Sequence, residues 1–208
     1  MPESPSPSEY LRPSAGLDQL FSALDPVEQR HVLDLGEFTQ SNVTQIINLG
    51  HRLTSEDLLG TADSIFGPGD PNKTQTDVAL TSRFLDSVLQ FPPDTFDAIL
   101  VWNTLEYIAR HLIDPLIERL HRVLRNDGVM LVCFRADGRE HMTLQQSFRI
   151  ADSRTMSIHP KGHRQPAHML SNRAVERIFE RFGTVKFFLS RDALREVIVR
   201  KQAGQPYR

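Results

Sequence analysis

Apolar residues along the chain follow two spacings that alternate. Apolar runs at residues 98–102 and 129–134, and a short, mostly apolar segment at 31–36, are typical of strands buried in a parallel sheet. Residues 43–49 and 116–124 instead carry apolar side chains three or four positions apart, which is the spacing of an amphipathic helix. Strands that alternate with helices form parallel sheets with right-handed connections. The pattern therefore predicts an α/β fold.

Both ends of the chain extend this pattern. Helical spacing predicts one helix over residues 17–24 and another that begins after Ser171 and ends at Gly183. Two closing strands, at residues 185–189 and 196–199, are close enough in sequence to form an antiparallel pair.

The middle of the chain is less regular. Residues 52–57 predict a second strand, and residues 83–86 predict a short third one. Residues 58–81 between them are dense in turn formers and predict a long loop. Asp114 followed by Pro115 predicts the beginning of a helix, because aspartate caps helices and proline suits their first position.

The first residues differ in composition from the rest. Residues 1–16 are rich in proline and serine, which predicts a mobile tail that cannot bury enough surface to become ordered. Residues 17–208 have the length and hydrophobic content of a single domain.

Charge and cysteine content narrow the range of partners. The formal net charge of −2 provides no general attraction to nucleic acid, so a nucleic-acid partner is not expected. No apolar run approaches the roughly 20 residues needed to span a bilayer, and the first residues lack the features of a secretion signal. Cys133, the one cysteine, lies in an apolar run and cannot form an internal disulfide. We expect a cytoplasmic protein without membrane association.

Four segments carry a resemblance to a known family. They are VLDLG at residues 32–36, a strand ending in an acid at 50–57, FPPDTFDAILVWN at 91–103 and LHRVLRNDGVML at 120–131. In this order and spacing they resemble the class I, Rossmann-like methyltransferases, which usually bind S-adenosylmethionine. The resemblance implies a seven-stranded, mostly parallel sheet ordered 3-2-1-4-5-7-6, with its last strand antiparallel and helices on both faces. It also implies a cofactor cleft at the carboxyl ends of the first strands.

The resemblance also implies cofactor-binding residues. Asp34 and Gly36 belong to the first motif, at the end of the first strand. Asp57, or Glu56 beside it, matches the acid that accepts hydrogen bonds from the ribose hydroxyls. Asp86 with Ser87 matches the pair after strand three that contacts the adenine amino group. Trp102 with Asn103 matches the residues where strand four opens onto the methyl-transfer site.

The first motif departs from the family pattern. Phe38 and Gln40 stand where the family has two further glycines, which let the backbone approach the cofactor. A left-handed backbone at Phe38 would cost roughly 1–2 kcal/mol, and its ring would need the space of the cofactor's amino-acid part. Glu37 adds a negative charge near the expected position of the cofactor's carboxylate. A cleft that is open above Gly36 would favour a working enzyme, and a cleft filled by Phe38 would favour a degenerate one.

The sequence identifies no catalytic residue. Methyl transfer depends mainly on positioning, and the candidates for a general base are Tyr107, His111 and His141. The three histidines at residues 159–168 have no helical register and no cysteine partner, so we expect a solvated loop and no metal site. By analogy with the family, substrate specificity would depend on residues 135–168.

Two functions are compatible with these features. The first is an S-adenosylmethionine-dependent methyltransferase that acts on a small molecule or another biosynthetic intermediate. The alternative is a degenerate relative that keeps the fold and works as a binding, scaffold or regulatory subunit, with a protein partner. A nicotinamide enzyme is a weaker third option, because residues 36–40 fit its glycine-rich fingerprint no better. The oligomeric state does not follow from the sequence.

Overall fold

The structure is a computed structural model, and it describes residues 9–24, 27–135, 143–189 and 194–203. The strands in this part of the chain are β1 (Tyr10–Pro13), β2 (His31–Asp34), β3 (Arg52–Ser55), β4 (Phe96–Trp102), β5 (Leu124–Arg135), β6 (Thr143–Asp152), β7 (Thr155–Arg164), β8 (Gly183–Leu189) and β9 (Leu194–Lys201). The helices are α1 (Ala15–Ala23), α2 (Gln40–Asn48), α3 (Leu58–Phe66), α4 (Pro71–Thr74), α5 (Val78–Ser87), α6 (Arg110–Val123) and α7 (Asn172–Ile178). Two short 3-10 turns cover Thr104–Tyr107 and Glu180–Phe182.

The main sheet confirms the predicted fold class but not the predicted number of strands. In the described part of the chain it has six strands in the order β3-β2-β4-β5-β9-β8. Strands β2 to β5 are parallel, and β9 is antiparallel to both of its neighbours. The prediction of seven strands ordered 3-2-1-4-5-7-6 is wrong because the edge strand three is missing. Residues 83–86, predicted as that strand, lie in α5 instead.

The two faces of the main sheet are covered by different elements. Ile99 and Val101 of β4 pack into a core formed with α3, α5, α6 and α7. Their neighbours Ala98, Leu100 and Trp102 point to the opposite face, because successive side chains of a strand alternate. That second core is closed by α1, α2 and a separate three-stranded sheet.

The predicted loop over residues 58–81 is mostly helical. Asp57, Asp70 and Asp77 each cap a helix by accepting a hydrogen bond from a backbone N–H two or three residues later. The turn formers around residues 66–72 separate these helices rather than replace them. The prediction of a loop is therefore wrong. Apolar residues of α3 do follow helical spacing (Leu58, Leu59, Ala62, Ile65 and Phe66), but the turn formers that follow them dominated the prediction.

The three-stranded sheet has the order β1-β7-β6, with β1 antiparallel to β7. Residues 10–16, predicted as part of a tail, therefore form β1 and the start of α1, whereas residues 1–8 lie outside the described residues. The buried carboxylate of Glu196 anchors this segment through Arg12 at 2.8 Å and the Ser14 hydroxyl at 2.6 Å. Partners so distant in sequence leave no local pattern, which explains why the prediction placed this segment in the tail.

Helix α6 begins five residues earlier than predicted, so Asp114 is not its cap and Pro115 lies inside it. The buried side chains of Leu112 and Ile113 hold this additional turn against the core although proline lacks an N–H. No helix in the described ranges is long and apolar enough to cross a membrane.

Candidate functional site

A cleft lies at the carboxyl ends of β2 and β4, where open α/β sheets bind their ligands. It holds about 690 Å³ of space not occupied by atoms, open solvent included. Its walls come from the loops after β2 and β4, from the beginning of α3 and from the β6–β7 hairpin. The residues that line it are Gly36, Glu37, Asp57, Leu59, Gly60, Asp63, Trp102, Asn103, Thr104, Gln145, Gln146, Ser147, Phe148, Lys161 and Arg164.

Asp34 lies beneath the cleft and organises its floor. One carboxylate oxygen accepts hydrogen bonds from the Gly36 backbone N–H at 2.9 Å and from the Trp102 indole Nε1–H at 2.7 Å. The other oxygen accepts one from the Asn42 side-chain amide at 2.7 Å. Burial raises the pKa of the Asp34 carboxyl, and these three donors oppose that rise. Asp34 therefore positions its neighbours and does not itself line the cleft.

Trp102 and Gly36 share one small space. A Cβ atom at Gly36 would lie 2.7 Å from Cδ1 and 2.9 Å from Nε1 of the indole, closer than real Cβ atoms approach other groups. The Trp102 backbone has a φ of 54°, in the left-handed region that few residues other than glycine adopt. Non-glycine residues in such conformations are frequent at functional sites. The glycine at position 36 is therefore required by the packing of the protein itself.

Phe38 does not fill the cleft. Its side chain is 63% exposed and is not among the cleft-lining residues. Its backbone also avoids the left-handed region, so the strain considered for a substituted glycine does not arise. Gln40 is the exposed first residue of α2, which Thr39 caps. By the criterion of an open cleft above Gly36, this arrangement favours a site that can accept a ligand.

The acid at the end of β3 is Asp57, because Glu56 faces another direction. Asp57 is exposed and lines the cleft, and its carboxylate caps α3 through the Gly60 N–H at 2.8 Å. The Glu56 carboxylate accepts a hydrogen bond from the Leu89 N–H at 2.8 Å, and burial raises its pKa. Of the two acids, only Asp57 can reach a ligand in the cleft.

Asp86 and Ser87 lie on α5 and not among the residues that line the cleft. The Ser87 hydroxyl donates a hydrogen bond to the Arg83 carbonyl at 2.7 Å, and Asp86 accepts a long one of 3.5 Å from Ser82. Their predicted contact with adenine depended on a strand three that the described part of the chain does not form.

The β6–β7 hairpin forms the wall opposite α3. Arg164 of β7 makes a bidentate ion pair with Asp63 of α3, at 2.7 and 2.9 Å. Lys161 pairs with Glu37 of the loop after β2 at 2.7 Å. These two ion pairs join the hairpin to the main domain across the cleft. The sequence offered residues 135–168 as a region of specificity, but it gave no sign of which charges meet.

The hairpin is also fixed to α2 and to the floor. The Asn42 side-chain oxygen accepts a hydrogen bond from the Ile150 N–H at 2.7 Å, and the Ser41 hydroxyl donates one to the Ile150 carbonyl at 2.8 Å. The rings of Trp102 and Phe148 stack with centroids 5.4 Å apart and planes 4° from parallel. Asn42 thus connects β6 to Asp34, a link that sequence spacing could not reveal.

The candidate bases do not meet in the cleft. His111 is exposed on α6, and Tyr107 is buried beneath the guanidinium of Arg164, 5.3 Å from its ring centroid. Neither is among the cleft-lining residues, and His141 lies outside the described residues. The carboxylates that do line the cleft are those of Glu37, Asp57 and Asp63.

The histidine-rich segment is a strand for much of its length, which corrects the prediction of a loop. His159 and His163 belong to β7, and His159 contacts the Ser157 hydroxyl at 2.8 Å. Burial, with a smaller effect of Arg110, lowers the pKa of His168 to about 4. Among the residues that the structure describes, no group of three or more histidine, cysteine or acidic side chains is arranged to hold a metal ion.

Comparisons with known proteins identify the fold. No protein-family model and no curated protein sequence matches the chain. Among solved structures, 1,6-didemethyltoxoflavin-N1-methyltransferase from Burkholderia thailandensis, with bound 1,6-didemethyltoxoflavin and S-adenosylhomocysteine, has a TM-score of 0.50 at 16% identity. That match covers 91% of this chain and 79% of the other. An S-adenosylmethionine-dependent methyltransferase from Methanosarcina mazei has a TM-score of 0.52 at 14% identity, covering 88% and 97%. The chain therefore has the fold of the class I methyltransferases, which confirms the resemblance at the level of the fold.

The site can be tested against the two halves of S-adenosylmethionine. The nucleoside half needs an acceptor for two neighbouring hydroxyls, and the exposed carboxylate of Asp57 supplies one. The amino-acid half meets an altered loop, because Phe38 and Gln40 replace two of the three glycines that the resemblance implies. Glu37, which follows Gly36 in the chain, and its partner Lys161 are charged residues that line the same cleft.

Proposed function

We propose that this protein is an S-adenosylmethionine-dependent methyltransferase that acts on a small molecule. The observation that carries the proposal is the open cleft at the carboxyl ends of β2 and β4, with Asp57 exposed on its wall. The similar structure from Burkholderia thailandensis holds S-adenosylhomocysteine together with a small molecule.

The chain's part in such a reaction is to hold and orient. The cofactor, when bound, supplies a methyl group on a sulfonium, which is already a good donor. Asp57 would hold the ribose by accepting hydrogen bonds from its hydroxyls. The hairpin residues Gln145 and Phe148 border the cleft, with Phe148 stacked on Trp102, and they can orient an acceptor and exclude water. Positioning of this kind needs no dedicated base when the acceptor atom carries a free electron pair.

Calorimetric titration with S-adenosylmethionine and S-adenosylhomocysteine tests the proposal. Asp57→Asn is the most informative variant, because asparagine also caps helices and so preserves α3 while the charge is removed. We expect the affinity for both ligands to fall about tenfold, the effect of losing a hydrogen bond to a charged group. Asp114→Asn, which changes an exposed acid on α6 outside the cleft, is the matched control. Absence of binding to the wild-type protein at millimolar ligand would end the proposal.

One observation favours the degenerate alternative as a second candidate. Phe38 and Gln40 stand where the resemblance implies two further glycines, so the loop lacks the glycines that would let the backbone approach the cofactor. A binding or regulatory subunit would keep its cellular role in the Asp57→Asn variant. Loss of a methylated product in cells that carry this variant would count against the alternative.

A further inference from the structure

The ion pair between Glu37 and Lys161 presents two opposite charges to the cleft. Glu37 Oε2 and Lys161 Nζ are 2.7 Å apart, and both residues line the cleft. Their side chains are 45% and 38% exposed, respectively, so both remain accessible to a ligand. The Ser147 hydroxyl donates a long hydrogen bond of 3.5 Å to the same Glu37 oxygen.

A β-bulge places Lys161 at this position. In the ladder between β6 and β7, Gln145 is opposite Gly162 and Gln146 is opposite Pro160, so Lys161 has no partner residue in the ladder. Bulges of this kind redirect a side chain and are frequent beside active sites. Gly162 has a φ of 128°, which side chains rarely permit, so glycine at this position allows the bulge. The orientation of Lys161 is therefore built into the strand.

The second ion pair across the cleft has a different character. Asp63 and Arg164 form two parallel hydrogen bonds, the Arg164 side chain is only 15% exposed, and its guanidinium lies over the Tyr107 ring. Such a bidentate, packed pair is geometrically fixed. The Glu37–Lys161 pair has one short contact and is partly exposed, and pairs of this kind contribute about 0–1 kcal/mol. A ligand can therefore separate Glu37 from Lys161 at little energetic cost.

We propose that Glu37 and Lys161 bind the zwitterionic amino-acid end of the adenosyl ligand. The Glu37 carboxylate accepts hydrogen bonds from the ligand's α-ammonium, and Lys161 Nζ donates to its α-carboxylate. The ligand replaces one ion pair by two, so neither Glu37 nor Lys161 is left without an opposite charge. The inference rests on the proposed function, since it needs an adenosyl ligand. It explains how the site can dispense with glycines at positions 38 and 40.

Two ligands that differ only in the amino-acid end test this inference. S-adenosylhomocysteine and 5′-methylthioadenosine share the nucleoside and the sulfur, and only the former is a zwitterion. We expect Lys161→Glu to weaken S-adenosylhomocysteine about tenfold or more and 5′-methylthioadenosine less than about threefold in calorimetric titrations. The matched control is Arg154→Glu, the same type of charge reversal at an exposed ion pair with Asp18. It should change neither affinity.

The exchange Glu37→Lys with Lys161→Glu separates ligand recognition from a purely structural link. The double variant keeps the ion pair with its two charges exchanged. If the pair only links the hairpin to the loop after β2, S-adenosylhomocysteine should bind as it does to the wild type. The proposal predicts that binding stays about tenfold weaker. Full recovery, or an equal loss for both ligands in Lys161→Glu, would overturn the inference while leaving the proposed function intact. Wild-type protein that binds neither ligand would overturn both.

Discussion

The indole of Trp102 lies where any side chain at position 36 would have to lie. A Cβ atom on Gly36 would come within 2.7 Å of the ring, and the same ring donates a hydrogen bond to Asp34. Asp34, Gly36 and Trp102 thus form one unit at the ends of β2 and β4. The Asp-x-Gly pattern in the sequence therefore reflects internal packing as much as any ligand.

Replacing Gly36 by alanine should destabilise the protein by about 1–3 kcal/mol, the usual effect of overpacking. The Gly36 backbone is outside the left-handed region, so the loss would report the collision with the indole and not backbone strain. Urea unfolding measures the change. The double variant Gly36→Ala with Trp102→Leu should show less than the sum of the two single losses, because the smaller side chain leaves room for the methyl group. Strict additivity would contradict this explanation.

Asp34 and Asn42 should tolerate exchange better than either single change. Asp34→Asn places its amide group against the Asn42 amide, so two donors meet in a buried site at a cost of about 1–3 kcal/mol. Asp34→Asn with Asn42→Asp restores one donor and one acceptor, and the new aspartate can still accept from the Ile150 N–H. Urea unfolding should therefore show recovery of much of the loss. A double variant that is less stable than Asp34→Asn would show that the charge is needed at position 34.

Much of the fold could be predicted because its strands are buried on both faces. The run at residues 98–102 has no polar residue, and the structure places it in the centre of the sheet. The absence of the edge strand could not be predicted, because residues 83–86 are too few to distinguish the spacing of a strand from that of a helix. Phe84 is the one fully buried residue of α5, between an exposed Arg83 and a partly buried Leu85, and a single position cannot reveal a helical period.

The candidate site was less predictable than the sheet. The resemblance pointed to Asp57 and Trp102, and both line the cleft. Glu37 was identified only as an unfavourable charge, because its partner Lys161 lies on a distant hairpin and reaches it through a bulge. Contacts between elements far apart in sequence depend on tertiary packing, and no local spacing reports them.

The two ion pairs across the cleft should control opening of the β6–β7 hairpin. In a double variant, Glu37→Gln with Asp63→Asn, we expect backbone amides of residues 145–164 to exchange hydrogen several-fold faster. The free energy of unfolding should fall by about 1–3 kcal/mol, mainly through Asp63→Asn, because the guanidinium of Arg164 is only 15% exposed and its hydrogen bonds to Asp63 are charge-assisted. Hydrogen exchange followed by mass spectrometry makes the measurement, with Asp114→Asn as a control outside the cleft. Unchanged exchange in the hairpin would show that other contacts hold it closed.

The half-buried His168 should make the protein less stable in mild acid. Burial, and next Arg110, lower its pKa from 6.5 to about 4 in the folded chain. Above pH 6.5 the imidazole is neutral in both states and has no effect. Between pH 6.5 and 4 the unfolded chain takes up a proton that the folded chain refuses, so stability falls as the pH falls and levels off below pH 4.

His168→Gln removes this titration, so the loss of stability between pH 7 and pH 4.5 should be smaller than in the wild type by about 2 kcal/mol. This figure follows from about 1.4 kcal/mol for each pKa unit, reduced for partial exposure to solvent. Urea unfolding at a series of pH values measures it. His111→Gln, at an exposed position on α6, should keep the wild-type pH dependence. Parallel curves for His168→Gln and the wild type would mean that His168 takes up its proton equally in the folded and unfolded chains.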